Sequence, residues 1–275
     1  MMKRIFFVSL FLAVFLAVAF SGCTDIAPEP EVTEQFDDEY EADDNTVLKV
    51  DNINGQISIN GWEGDTITLN AIKSTLYGED ELKKVEITSI KSDNEITIKT
   101  KSLTVIPPRV SVDMDIKVPN NAVVDFVEIS NGEIRISGTK GDTFASCSNG
   151  VVTMKNVNGY VKAHVVNGNI NVEETKGIGN LEVSNGNIIV EIFDIKGDVN
   201  IKCINGKITA YIIPSLNADI EMKTMNGIIS VENIAINFTK TEETHMEGVL
   251  GDGGSKILIE NTNGNVNINS MLVNE

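Results

Sequence analysis

Eight of the ten Asn-Gly pairs in this 275-residue chain mark a recurring unit: Asn54-Gly55, Asn131-Gly132, Asn149-Gly150, Asn167-Gly168, Asn185-Gly186, Asn205-Gly206, Asn226-Gly227 and Asn263-Gly264. From Asn131 the steps are 18, 18, 18, 20 and 21 residues. A fixed period near this length is the mark of units that stack on one another. It constrains the architecture strongly and the chemistry hardly at all.

Aligning the units on their Asn exposes columns. Three residues after it stand Ile57, Ile134, Val152, Ile170, Ile188, Ile208, Ile229 and Val266. Two before it stand Asn52, Ile129, Cys147, Val165, Val183, Cys203, Thr224 and Asn261. The positions four before and five after are also apolar, and those between are mostly polar. One polar column holds Arg135, Thr153, Asn171, Thr209, Ser230 and Asn267, broken by Ile189. Alternation with period two means strands with one buried face. Each unit holds two such strands with the Asn-Gly corner between them. A lone pair cannot bury its apolar face, so successive units must pile up. Each unit adds about five inward side chains, worth roughly 1.5–3 kcal/mol apiece before ordering entropy is subtracted. Asn and Gly both tolerate positive φ, as a sharp corner requires. Stacked corners can also align their side-chain amides as a turn ladder through Asn131, Asn149, Asn167, Asn185, Asn205 and Asn226. The expected fold is all-β: a single-domain parallel β-solenoid, β-helix-like, of about 18-residue Asn-Gly repeats, with right-handed crossovers as the default. The rival is an antiparallel meander or barrel, because Asn-Gly is also the strongest short hairpin signal.

The chain begins with Lys3-Arg4, an apolar run from Ile5 to Phe20, and then Ser21-Gly22-Cys23. A basic start, an apolar stretch and small residues before a cut form a secretory signal. This one looks like a lipoprotein signal, with Cys23 as the lipidated first residue. The alternative is an uncleaved anchor, although 16 residues are short for a full span. Residues 1–22 are thus read as signal peptide, 23–45 as an acidic disordered tether and 46–275 as the repeat domain. Residues 24–44 carry ten Asp or Glu and no Lys or Arg, a self-repelling composition. A net charge of −18 argues against nucleic acid or anionic lipid as a partner of the whole molecule. Residues 72–110 and 233–256 interrupt the repeat. The first interruption carries a short helical stretch from Glu79 to Val85 and two alternating strands from Glu86 to Thr104. The second holds a glycosylation acceptor pattern at Asn237-Phe238-Thr239. The last unit, Lys256–Ser270, is expected to cap the stack.

A search for chemistry finds little. The two histidines, His164 and His245, show no metal-ligand spacing, and His164 falls in an outward column. Cys147 and Cys203 share an inward column three units apart, about 14 Å at strand spacing, too far to bridge. Both are expected to be buried free thiols. Glu173 and Glu191 hold equivalent outward places on neighbouring units, the best candidates for paired acid/base work. Asp113 and Asp115 alternate on one strand face. Gly251-Asp252-Gly253-Gly254 resembles a calcium-binding turn, but those act in tandem copies. Tyr160 and Tyr211 are the outward aromatics on the repeats, and Trp62 is the single Trp.

Val50-Asp51-Asn52-Ile53-Asn54-Gly55, then Gly61-Trp62, Lys117-Val118-Pro119, the Asn-Gly-x-Ile units, and the closing Gly253-Gly254-Ser255-Lys256 and Asn263-Gly264-Asn265-Val266 resemble the putative-adhesin β-strand-repeat family. That is a domain of unknown function in exported and membrane-linked prokaryotic proteins, and the resemblance spans roughly residues 46–270. It implies one β-solenoid-like domain and no catalytic residue. The expected protein is a non-catalytic, extracytoplasmic cell-surface lipoprotein, held to the membrane by lipid at Cys23 and needing no cofactor or metal. It would work as a rigid adhesion or display module against an envelope polysaccharide or protein. An envelope-stress sensor or regulatory accessory is the second expectation, and a polysaccharide-active enzyme the third.

Overall fold

The computed structural model describes residues 31–271. Its elements in chain order are β1 (Val32–Glu41), β2 (Val47–Trp62), β3 (Thr66–Thr75), the single-turn helix α1 (Glu79–Leu82), β4 (Val85–Ser92), β5 (Glu95–Ser102) and β6 (Ser111–Pro119). Four long strands follow: β7 (Val123–Ser137), β8 (Thr143–Lys155), β9 (Tyr160–Glu173) and β10 (Gly177–Ile192). The remainder is β11 (Val199–Asn205), β12 (Ile208–Ile212), β13 (Ala218–Asn226), β14 (Ile229–Glu232), β15 (Ile236–Glu242), β16 (His245–Leu250), β17 (Lys256–Asn263) and β18 (Val266–Ser270). The fold is all-β, and these strands form one mostly parallel sheet. Among the described residues no helix is long and apolar enough to cross a membrane.

The parallel pairings run Asn over Asn. Asn54 faces Asn131, which faces Asn149, then Asn167 and Asn185. Beyond Asn185 come Asn205, Asn263 and finally Asn226. Their amides join: Asn131 Nδ2 donates to Asn54 Oδ1 at 2.8 Å, Asn149 to Asn131 at 2.9 Å, and Asn167 to Asn149 at 2.9 Å. The row continues from Asn185 to Asn167 at 2.9 Å, Asn205 to Asn185 at 2.8 Å, Asn263 to Asn205 at 2.7 Å and Asn226 to Asn263 at 2.8 Å. Every donor points the same way, so the amide dipoles add head to tail. The glycine beside each rung has no substitute. Gly168 has φ +142°, and a Cβ built on it would lie 1.6 Å from the Gly150 carbonyl oxygen.

The inward columns are buried almost completely: Ile134, Val152, Ile170, Ile188, Ile208 and Val266 are all at 0% exposure. Asn52 stands among them and is satisfied. Its Nδ2 donates to Val112 O at 2.7 Å, and its Oδ1 accepts from Ile53 N at 2.8 Å and Thr100 Oγ1 at 3.0 Å. That is how a polar side chain survives at 0% exposure.

Layer order departs from chain order at both ends. The last Asn-Gly unit does not cap the fold. β17 lies between β11 and β13, and β18 between β12 and β14. The first unit is likewise one layer in, because β2 pairs with β7 on one side and with β5 and β6 on the other. The interrupting segment 72–110 therefore returns to supply an outer layer. Antiparallel strands cover the outer layers: β4 on β5, β3 on β6 and β1 on β3 at one end, and β16 on β13 and β15 on β16 at the other. Such cover protects edges that would otherwise template association.

The expected disordered tether is also corrected. Residues 32–41 form strand β1, and the register with β3 runs unbroken from Val32↔Thr75 to Glu41↔Thr66. Phe36 and Tyr40 alternate inward and pack on the core. The acids that implied repulsion find partners: Glu34 pairs with Lys73 Nζ at 2.8 Å and Asp37 accepts from Asn70 Nδ2 at 2.7 Å. The expected signal segment 1–22, Cys23 and the start of the tether lie outside the described residues.

Two outcomes follow. Asn167→Ala removes two exposed amide bonds and should cost about 1–2 kcal/mol, whereas Gly168→Ala should cost more than about 3 kcal/mol, because it forces backbone apart at a positive φ; urea denaturation measures both. Truncation after Ser255 withdraws an inner layer, so it should leave Ala218–Leu250 open to proteolysis. A truncation that spared that segment would mean the last unit is dispensable cover.

Candidate functional site

Among the described residues, a group of titratable side chains converges where the last layers meet their antiparallel cover. On β13 the outward positions five and three before Asn226 are Glu221 and Lys223. β16 runs antiparallel alongside and sets Glu247 opposite Glu221 and His245 opposite Lys223. On the other side β17 sets Leu258 opposite Glu221 and Glu260 opposite Lys223. Cover from both sides makes Glu221 a buried carboxylate at 8% exposure, although its column faces outward.

Glu221 is fully engaged. Lys223 Nζ pairs with its Oε1 and Lys256 Nζ with its Oε2. His245 Nε2 lies 3.0 Å from Glu221 Oε1 and 2.8 Å from Glu247 Oε1. Lys240 Nζ is 2.8 Å from His245 Nδ1. An ammonium only donates, so Nδ1 accepts, and the ring N–H at Nε2 faces the carboxylates. Hydrogen bonds from Lys223 and Lys256 outweigh burial and hold the Glu221 carboxyl down at about 2.

Glu221, His245 and Glu247 offer ligand atoms within 4.8 Å of one another. The donor set alone would suit a divalent cation. Its electrostatics do not, because an ion there would sit against the ammonium groups of Lys223 and Lys256, both already bound to Glu221. The arrangement fits an ion-pair clamp that fastens β16 and β17 to β13. Beside it opens a groove of about 320 Å³, lined by Lys202, Lys223, Thr224, His245, Glu260 and Asn261 among others. Asn261 is buried, its Nδ2 donates to Gly206 O at 2.9 Å, and its Oδ1 has no hydrogen-bond partner among the described residues.

The residues singled out from sequence are dispersed by the fold. Glu173 Oε2 is 3.2 Å from Lys155 Nζ. Glu191 Oε2 accepts the Glu174 backbone N–H at 2.8 Å. The two carboxylates are thus held by different groups, Lys155 lying also 3.6 Å from Glu174. His164 is half-buried, 3.6 Å from Glu182. Tyr160 is not an open platform: its hydroxyl lies 2.6 Å from Asp194 Oδ2, and Lys176 and Lys196 stand 5.2 and 5.7 Å from its ring. Tyr211, on β12, stacks between Glu191 and Asn269. Asp113 Oδ1 accepts the Gln56 N–H at 2.9 Å. Asp252 lies in the turn after β16, where its N–H donates to Asn217 Oδ1 at 2.9 Å. Cys147 and Cys203 are buried free thiols, and burial pushes both pKa values up. Asn237 is exposed on β15.

Spacing along the chain does not reveal the Glu221 group, because its members converge across three strands. The available signal was the i, i+2 recurrence in Glu221-x-Lys223 and His245-x-Glu247, which puts each pair on one strand face.

No family model matches the chain, and no curated protein matches it. Among solved structures it is similar to a putative cell adhesion protein from Clostridium sporogenes, at 17% identity and TM-score 0.36, covering 86% of this chain and 100% of that one. It is also similar to a putative adhesin from Bacteroides fragilis, at 12% identity and TM-score 0.38, covering 86% and 97%. A third is a putative lipid binding protein from Parabacteroides distasonis, at 12% identity and TM-score 0.34, covering 88% and 97%.

The clamp has a measurable pH signature. The Glu221 pKa is depressed, so its stabilisation is full above the ordinary carboxyl value of 4.5 and drains as pH falls toward about 2. Between pH 5 and pH 2 the parent should lose roughly 2–3 kcal/mol more than a Glu221→Gln variant, measured by urea denaturation at each pH.

Proposed function

We propose that the chain is a non-catalytic cell-surface lipoprotein, anchored through Cys23, whose β-solenoid is a rigid adhesion or display module. The observation that carries this reading is the outward row Ser58, Arg135, Thr153, Asn171, Ile189, Thr209, Asn267 and Ser230. Its members stand side by side on consecutive strands from β2 to β14. A flat, hydroxyl- and amide-rich ribbon at regular spacing suits the repeating hydroxyls of an envelope polysaccharide or the exposed edge of a surface protein. The carboxylates support a binding role, since Glu173 and Glu221 pair with Lys and Glu191 accepts a backbone N–H. The apolar start of the chain and Cys23 support export and lipid attachment.

The full chain, immobilised and exposed to solubilised envelope, should retain an envelope polysaccharide or surface protein. Thr153→Lys combined with Asn171→Lys should abolish retention while leaving the denaturation midpoint in place. Polysaccharide cleavage by the parent that disappears in Glu173→Gln and Glu191→Gln would contradict this reading. So would a deletion strain that attaches normally but misregulates its envelope-stress response.

A further inference from the structure

In the outermost layer at the β5–β6 end, the Asn-Gly corner is missing. Lys99 pairs with Asp51 and Val112 with Gly55, so residues 100–111 occupy the place that Asn52–Asn54 fill in the next layer. The excess is a protruding loop, Leu103–Val110. Val105 is 101% exposed, Ile106 80% and Leu103 54%. Leu76 and Tyr77 stand beside them, at 53% and 55%. The two loops are bound together. Leu103 N donates to Lys84 O at 2.8 Å, Thr75 Oγ1 to Arg109 O at 2.6 Å, and the Arg109 guanidinium lies 4.6 Å from the Tyr77 ring centroid. Five large apolar side chains held into water on an ordered tip call for an occupant.

Two further observations identify it. The first is charge. In a chain of net −18, residues 96–112 hold Lys99, Lys101 and Arg109 and no Asp or Glu, and of the acids that follow Tyr77, Asp80 pairs with Lys83, while Glu81 pairs with Lys84 and accepts the Arg109 N–H. The second is position. β1 starts with Val32 opposite Thr75, so the chain enters the described fold beside Leu76 and Tyr77. Val32 lies only nine steps along the chain from Cys23, a reach of at most about 30 Å. A lipid at Cys23 would bring this edge of the protein to the bilayer.

We propose that the tip formed by Leu76, Tyr77, Leu103, Val105 and Ile106 inserts into the interfacial region of a lipid bilayer. Arg109 and Lys101 then lie at the phosphate level and Tyr77 at the headgroup boundary. The setting rests on the lipoprotein reading, but the insertion is a property of the tip itself. A lipid anchor at Cys23 and an inserted tip would together hold the stack in a fixed attitude, because two points of attachment restrict rotation that one point allows.

The test uses the full chain with Val105→Cys carrying an environment-sensitive fluorophore, and a control label at Asn237→Cys on the far hairpin. Cys147 and Cys203 are buried and should not label. The lipidated chain and a Cys23→Ser chain are each mixed with phosphatidylcholine vesicles, with and without phosphatidylglycerol. The label at 105 should shift to the blue and be quenched by spin-labelled lipid, while the label at 237 stays aqueous. Val105→Asp with Ile106→Asp, labelled at 103 through Leu103→Cys, should abolish quenching in both chains. Vesicle association with an aqueous label at 105 overturns the tip proposal and leaves the lipid anchor standing. A buried label at 105 in the Cys23→Ser chain supports the tip even if no lipid is attached at Cys23. A blue shift that grows with protein concentration without vesicles overturns the proposal in favour of a second copy.

Discussion

A hydrogen in place of a methyl group sets the spacing of this molecule. At each corner the carbonyl of one glycine points at the α-carbon of the glycine in the next layer, leaving no room for a Cβ. Gly132 and Gly150 lie under the same constraint as Gly168, with a built Cβ 1.7 Å from the carbonyl below. That close approach brings the adjacent Asn amides within 2.7–2.9 Å of one another. Corner, rung and strand ladder therefore share one vertical repeat, and the inward Ile and Val columns close without gaps because of it.

A stack with this repeat has no intrinsic end, since each layer presents edges that would accept another copy. The chain resolves this by weaving. Its first and last Asn-Gly units are each placed one layer in, and the outer layers are made from segments that lack either the corner or a regular return. Both terminal layers are then bracketed by neighbours and fastened by antiparallel cover. At one end Glu221 ties three strands through Lys223, Lys256 and His245. At the other, Tyr40 on β1 reaches the Ser89 carbonyl at 2.8 Å, which links the outermost strand to the β4–β5 hairpin.

The inward columns were legible because period-two alternation and a fixed Asn-Gly interval are local properties. Ile134, Val152 and Ile170 stand in the alignment as they stand in the core. Layer order was not legible, because Asn205, Asn226 and Asn263 carry equivalent corners and equivalent columns, and nothing local tells one neighbour from another. The acidic segment was misread for a related reason: the charges of Asp37 to Glu39 are obvious, while the value of Phe36 and Tyr40 depends on a partner strand 26 or more residues away. The Glu221–His245 group is likewise a product of the hairpin folding back over β13, and its residues look unremarkable in isolation.

Paired cysteines read the order of the layers directly. Neighbouring strands bring Cα atoms to about 4.8 Å, within disulfide reach, whereas strands two layers apart are near 10 Å and out of reach. Mild oxidation of Asn205→Cys with Asn263→Cys should close a disulfide in nearly all molecules, and Asn205→Cys with Asn226→Cys should close none. The reverse pattern, 205 joined to 226 and not to 263, would contradict the woven order.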